Sequence, residues 1–166
     1  MLSRILVALV VVVVLVVGSV AVASALSAGN VAPDFQGKTL EGKDFRLSDF
    51  KGEPIVLKIG TTWCPSCREQ AKSLNLLHSY LSEKGIRFVD VYVDETEKSV
   101  SKFFSKEKYR KPSAVILDEG NAHKAYNVYV IPRLILIDSN FNVFRDGDAL
   151  TSAILKKKLE KMLKKN

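Results

Sequence analysis

From Ile5 to Ala28 the chain runs for 24 residues without a charged side chain, and from Ile5 to Val17 every residue is Val, Leu, Ile or Ala. At a helical rise of 1.5 Å this run covers about 36 Å, enough to cross a hydrocarbon core of about 30 Å. An all-round apolar helix at the extreme N-terminus would need a far larger protein around it to be a buried core helix. The pattern therefore predicts an N-terminal hydrophobic helix that meets a membrane. Beyond it, short apolar runs of strand length alternate with stretches of helical spacing.

Residues 29–38 are polar and carry Gly, Asn and Pro, and read as a tether and first strand. Leu40, Phe45 and Leu47 flank the turn-like Glu41-Gly42-Lys43 and predict a short hairpin. Pro54 to Ile59 is a buried strand that ends at Gly60-Thr61-Thr62. A helix is expected from Pro65 to Lys84, with Ala71, Leu74, Leu77, His78 and Leu81 at helical spacing and Gly85 as its stop. Ile86 to Val93 is a strand, Thr96 to Lys106 a helix with Val100, Phe103 and Phe104 inward, and Ser113 to Leu117 a short strand. A small helix near Asn121 to Tyr126 precedes a hairpin, Arg133 to Asp138 and Val143 to Arg145, turning at Ser139-Asn140. The last helix runs from Leu150 to Lys164. This alternation, closed by a hairpin and a helix, predicts an α/β fold: a central mixed β-sheet with helices on both faces, preceded by the N-terminal hydrophobic helix.

Composition adds location. The chain has 166 residues, 25 Lys plus Arg, 18 Asp plus Glu, two His and two Cys. That suits one domain plus an appendage and excludes disordered, collagen-like and disulfide-dense classes. Residues 1–28 form the appendage and 29–166 the domain. Only the amino terminus and Arg4 precede the apolar run, so the N-terminus stays cytoplasmic and the domain is exported. An uncleaved anchor is favoured over a cleaved signal peptide, for which Ala21-Val22-Ala23 or Ala23-Ser24-Ala25 offers a cleavage site. Either way Cys64 and Cys67 lie outside the cytoplasm, where disulfides persist unless something reduces them. The exported part retains a charge of +6, of which +5 sits between Ile154 and Asn166. Ile154, Leu155, Leu159, Met162 and Leu163 share one face there, so the lysines read as a solvated face. With no aromatic residue among them, nucleic acid is not the expected partner.

The chemistry concentrates in Trp63-Cys64-Pro65-Ser66-Cys67, at a strand-to-helix junction. Cys64 falls near the helix N-cap and Pro65 at the first helical position, where its missing N–H matters least. Unpaired amides and the positive end of the helix dipole favour a Cys64 thiolate. Three residues of helix bring the two Cα atoms within about 5 to 6 Å, inside disulfide range. Cys64 is the expected nucleophile and Cys67 the resolving thiol, by way of a mixed disulfide with a partner protein. A structural bridge over two residues would restrain the unfolded chain little. A zinc site would need His78 and His123, and His78 lies about 16 Å along the helix from Cys67. Attached haem would need His where Arg68 stands. No metal and no cofactor beyond the redox-active Cys64-Cys67 disulfide is expected.

With these residues the chain resembles the thioredoxin-like superfamily, and within it the membrane-tethered TlpA/ResA-like thiol-disulfide oxidoreductases. The resemblance rests on Ala32-Pro33-Asp34-Phe35, on Leu47-Ser48-Asp49-Phe50-Lys51-Gly52, on Gly60 through Cys67, on Ile131-Pro132 before a strand and on Gly147 after the hairpin. It implies a thioredoxin-like fold over residues 29–166. It also implies a cis Pro132 packed against the Cys pair, with Ile131 and its neighbours Pro132 and Arg133 meeting an extended substrate segment. Read from the residues alone, Pro132 is equally an ordinary trans turn residue. The chain departs from the pattern where relatives carry acids: Lys58 replaces a buried acid six residues before Cys64, and Gln70 replaces a Glu three residues after Cys67. Arg133 stands where many relatives have Thr. Lys58 is expected to snorkel to the sheet edge and Arg133 to face water. The alternative turns either cation toward Cys64, lowering its pKa and making the disulfide a stronger oxidant.

The resemblance implies an extracytoplasmic oxidoreductase, periplasmic or on the outer face of the cytoplasmic membrane. It would reduce exported cysteine-bearing clients such as apocytochrome c during cytochrome c maturation and be recharged by a membrane thiol donor. Its rivals are an oxidising or isomerising exchanger of the same chemistry, a copper-binding metallochaperone of the same fold, and a peroxidase, whose usual Thr-bearing Cys loop is absent.

Overall fold

The computed structural model describes residues 28–165. The predicted apolar helix, and with it the membrane anchor or signal peptide, lies outside the described residues.

Seven strands form one sheet: β1 (Gln36–Thr39), β2 (Asp44–Arg46), β3 (Ile55–Gly60), β4 (Arg87–Val93), β5 (Ala114–Asp118), β6 (Arg133–Ile137) and β7 (Val143–Gly147). Their spatial order is β2-β1-β5-β4-β3-β6-β7. β3, β4 and β5 run parallel, and β6 lies antiparallel to β3. The outer pairings of β7, β1 and β2 are antiparallel as well, so the sheet is mixed, as the alternation of elements predicts.

Alternation along the strands sorts the core between two faces. Ile55, Leu57 and Ile59 of β3 point to one face, with Val89, Val91, Ile116 and Ile135. Ala32, Phe35 and Leu47, which flank β1 and β2, and α4 (Asn121–Ala125) pack against that face. Val56, Phe88, Leu134 and Leu136 point to the other, under α1 (Pro65–Leu76), α2 (His78–Glu83) and α5 (Ser152–Leu163). A third cluster joins Ala71 of α1 and Tyr92 of β4 to Val100 and Phe103 of α3 (Glu97–Glu107).

Three expectations need correction. The helix predicted from Pro65 to Lys84 is two helices that meet at Leu77 (φ −91°, ψ 0°), whose amide bonds to Leu74 O at 3.0 Å in a tightened turn. Tertiary hydrogen bonds hold the break: Asn75 Oδ1 accepts from the Arg110 amide at 3.0 Å and His78 Nε2 meets Lys111 O at 3.1 Å. Residues 29–32 are not a tether. Val31 bridges Asn142 in antiparallel fashion, because the outer edge of β7 leaves backbone groups there to be paired. Finally, Ile154 is 47% exposed whereas Leu155, Leu159 and Met162 are fully buried, since the face of α5 that meets the sheet is narrower than the apolar spacing suggests.

Candidate active site

β3 is buried throughout and delivers the chain to Thr61, Thr62 and Trp63 at the end where all three parallel strands finish. Cys64 is the N-cap of α1, in extended conformation (φ −73°, ψ 121°), and Pro65 occupies the first turn as predicted. The Cys67 amide donates to Cys64 Sγ at 3.3 Å, and Ser66 Oγ lies 3.2 Å from the same sulfur. Both cysteines are free thiols, 6% and 1% exposed. Trp63 beside them is 70% exposed.

The two thiols are driven apart electrostatically. Partial burial opposes ionisation of Cys64, but hydrogen bonds from Cys67 and Ser66 to its sulfur outweigh burial and pull its pKa below the ordinary thiol value. Burial is also the largest influence on Cys67, and with the hydrogen bond to Cys64 it pushes that thiol up to about 12. One helix turn therefore presents an acidic thiol at its cap and a basic one behind it, so deprotonation selects Cys64 first.

Glycine at position 60 is a packing requirement. A methyl group built there would lie 2.9 Å from Cys67 Sγ and 3.7 Å from Lys58 Cε. Cys67 and Lys58 thus share the space over Gly60, and Lys58 is a cation felt by the Cys67 sulfur.

Lys58 does not snorkel. It is 1% exposed on the inner strand β3, directly opposite Asp90 of β4, and its Nζ stands 2.5 Å from Asp90 Oδ1 and 4.5 Å from the Tyr92 ring centre. With β4 on one side and β6 on the other, no sheet edge is within reach. The Tyr92 hydroxyl donates to Asp90 Oδ2 at 2.9 Å. Burial raises the Asp90 carboxyl above its ordinary value against the opposing pull of Lys58 and Tyr92. Where the resemblance places a buried acid, this chain has a buried cation, and its acid, Asp90, is on the neighbouring strand.

Arg133 neither faces open water nor serves the thiols. Its guanidinium forks onto Asp146 of β7 at 2.5 and 3.0 Å. Gln70 is buried, and its Oε1 accepts from the Leu150 amide at 2.7 Å, tying α1 to the loop before α5. The Ile131-Pro132 bond is cis. Arg133 pairs with Ile59, so Ile131 and Pro132 lie just past that pair at the Cys64 end of the sheet, beside the exposed Tyr129 and Val130. His123 is held by Asp118, with Nδ1 2.8 Å from Oδ2.

Sequence reasoning missed three residues. Asp90 and Tyr92 were signalled by a charge inside the apolar run Ile86 to Val93. Glu95 accepts from the Thr62 amide at 2.5 Å and from its hydroxyl at 2.7 Å, and pins the loop that carries Trp63 and Cys64. Nothing local marks Glu95, because its partner lies 33 residues away.

The AhpC/TSA family profile matches residues 28–145. Thiol-disulfide oxidoreductase ResA of Bacillus thuringiensis is 33% identical over 138 residues, 82% of this chain and 77% of the relative. ResA of Geobacillus kaustophilus is 31% identical over 141 residues, 84% and 78% of the two chains. Among solved structures, a Chlorobium tepidum protein assigned as the thiol:disulfide interchange protein DsbE superposes with a TM-score of 0.73 at 27% identity. That match covers 83% of this chain and 99% of the other.

Proposed function

Since the chain belongs to the AhpC/TSA family and is a thiol-disulfide oxidoreductase of the ResA and DsbE type, we propose that it reduces disulfides of exported proteins outside the cytoplasm. Apocytochrome c during cytochrome c maturation is the proposed client class, a membrane thiol donor the source of electrons, and residues 5–28 the link to the membrane. The Cys64-Cys67 pair is the redox carrier, without a further cofactor. The observation that carries this reading is the placement of Cys64 at the N-cap of α1, its sulfur 3.3 Å from the Cys67 amide and beside the exposed Trp63, with Cys67 buried one turn behind.

The Cys64 thiolate attacks a client disulfide, forming a mixed disulfide and releasing one client thiolate. The client backbone lies along Ile131-Pro132, beside Trp63. Cys67 then loses its proton toward the buried Lys58–Asp90 pair and attacks Cys64 Sγ. The second client thiolate leaves, the Cys64-Cys67 disulfide closes, and two electrons have passed to the client. The thiol donor reverses the closure. Ser66 supports the Cys64 thiolate, Pro65 fixes the helix start, Gln70 positions the loop before α5, and Arg133 ties β6 to β7.

Equilibration with glutathione buffers tests the direction of transfer. A potential of about −270 mV agrees with a reductase, and one of about −120 mV overturns it in favour of an oxidant. The Cys67→Ser variant, which cannot resolve, should accumulate mixed disulfides with exported proteins through Cys64.

A further inference from the structure

The first described residues fix where the chain leaves its apolar run. Gly29 N–H donates to Val143 O at 2.7 Å, Val143 N–H to Asn30 O at 2.8 Å, and Ala32 N–H to Phe141 O at 2.9 Å. Ala28 is therefore held at the turn between β6 and β7. In the antiparallel pairing of β6 with β3, Ile137 stands opposite Ile55 and Arg133 opposite Ile59. The β6–β7 turn thus lies where β3 begins, and Cys64 lies beyond where β3 ends. Six residues of strand at about 3.3 Å each place the two poles about 20 Å apart.

The pole at the turn is basic. Lys51 lies 5.1 Å from the centre of the Phe141 ring in that turn. Lys84 ends α2, Arg87 opens β4, and Lys164 and Lys165 follow the last turn of α5, all exposed. Of the acids there, Glu53 is paired with Arg87 at 2.6 Å, Asp138 accepts the amides of Asn140 and Asn142, and the exposed Glu83 precedes Lys84, so cations still outnumber acids. The opposite pole, where the parallel strands finish, exposes Glu69, Asp94, Glu97, Glu119 and Asp148 against Arg68, Lys98 and Lys124, so acids outnumber cations there. A charged surface is felt over about 8 Å at physiological salt, so the two poles sample different potentials when one rests on a membrane.

The geometry points to a fixed stance: the basic pole at the β6–β7 turn rests on anionic lipid headgroups of the membrane that residues 5–28 enter, and Trp63 and Cys64 face away from it. This rests on the reading of residues 5–28 as an anchor. Clients then meet Cys64 in the aqueous phase, and a membrane-embedded thiol donor reaches it only with a projecting segment of its own.

Trp63 is the only tryptophan in the chain and reports the position of the reactive pole without a label. The full chain is added to phosphatidylcholine vesicles with or without phosphatidylglycerol, carrying a dansyl headgroup acceptor. Energy transfer from Trp63 should be weak in both. The Trp63→Phe, Asn140→Trp double variant should transfer several-fold more strongly, and more strongly still with phosphatidylglycerol. Adding Lys164→Glu and Lys165→Glu should abolish that increment and its salt sensitivity, which loss of packing alone would not do. Transfer from Trp63 equal to that from position 140, or indifference to anionic lipid, overturns the proposal. Flotation in alkaline carbonate tests the anchor separately. A chain that carbonate releases refutes the anchor, and the same comparison at low salt on anionic vesicles then decides the pole, where failure to bind counts against it.

Discussion

Lys58 and Asp90 stand opposite each other on β3 and β4, Nζ 2.5 Å from Oδ1, and neither is more than 2% exposed. Two charges withdrawn from water are tolerated because each neutralises the other and Tyr92 satisfies the second carboxylate oxygen. Removing one partner leaves the other charge buried and unpaired. Lys58→Met should therefore destabilise the protein by about 3 to 5 kcal/mol. In the Lys58→Met, Asp90→Asn double variant the loss should be smaller than in the single variant. Urea unfolding measures both, and additive losses would show that the two residues do not interact.

Gly60 touches Cys67 closely enough that any side chain displaces it. Gly60→Ala should cost about 1 to 3 kcal/mol through overpacking of a rigid strand against α1. Because the displaced atom is the resolving sulfur, disulfide closure should slow more than Cys64 alkylation. Equal slowing of the two would place the effect elsewhere.

The thiols predict a pH profile. Iodoacetamide should modify Cys64 below pH 9.0, the ordinary thiol value, and leave Cys67 untouched in the folded protein. For stability, Cys67 has a raised folded pKa, so its protonated form favours the native state. That contribution is full below 9.0 and is lost as pH rises toward about 12. Cys64 has a lowered pKa and acts in the opposite sense: its contribution is present above 9.0 and fades as pH falls through the lowered folded value. Unfolding curves of the dithiol form should show both dependences, and those of the disulfide form neither.

Arg133 is engaged by Asp146 and not by the cysteines. Arg133→Met should destabilise by about 1 to 3 kcal/mol, because the Asp146 carboxylate, 4% exposed, loses its fork of donors. Thiolate absorbance should show the Cys64 midpoint unmoved. A rise in that midpoint would mean that the guanidinium reaches the sulfur.

The strands and the nucleophilic turn were legible because their causes are local. Pro54 to Ile59 has the apolar content of a buried strand, and Cys64-Pro65 has the chemistry of a helix start. The break at Leu77 was not legible, since the hydrogen bonds that hold it come from residues 110 and 111. The pairing of residues 29–32 with the β6–β7 turn was hidden for the same reason, its partner being more than 100 residues away.

The sequence by itself determined which sulfur is acidic, because capping and helix direction follow from residues 64–67 alone. It also determined that Lys58 lies in a strand. Only the tertiary structure decided what Lys58 does: strand order put β4 on one side of it and β6 on the other, so its charge found Asp90 in place of water. Spacing along a chain specifies local geometry, whereas the partner of a buried charge depends on which distant strand lies 4.8 Å or so away.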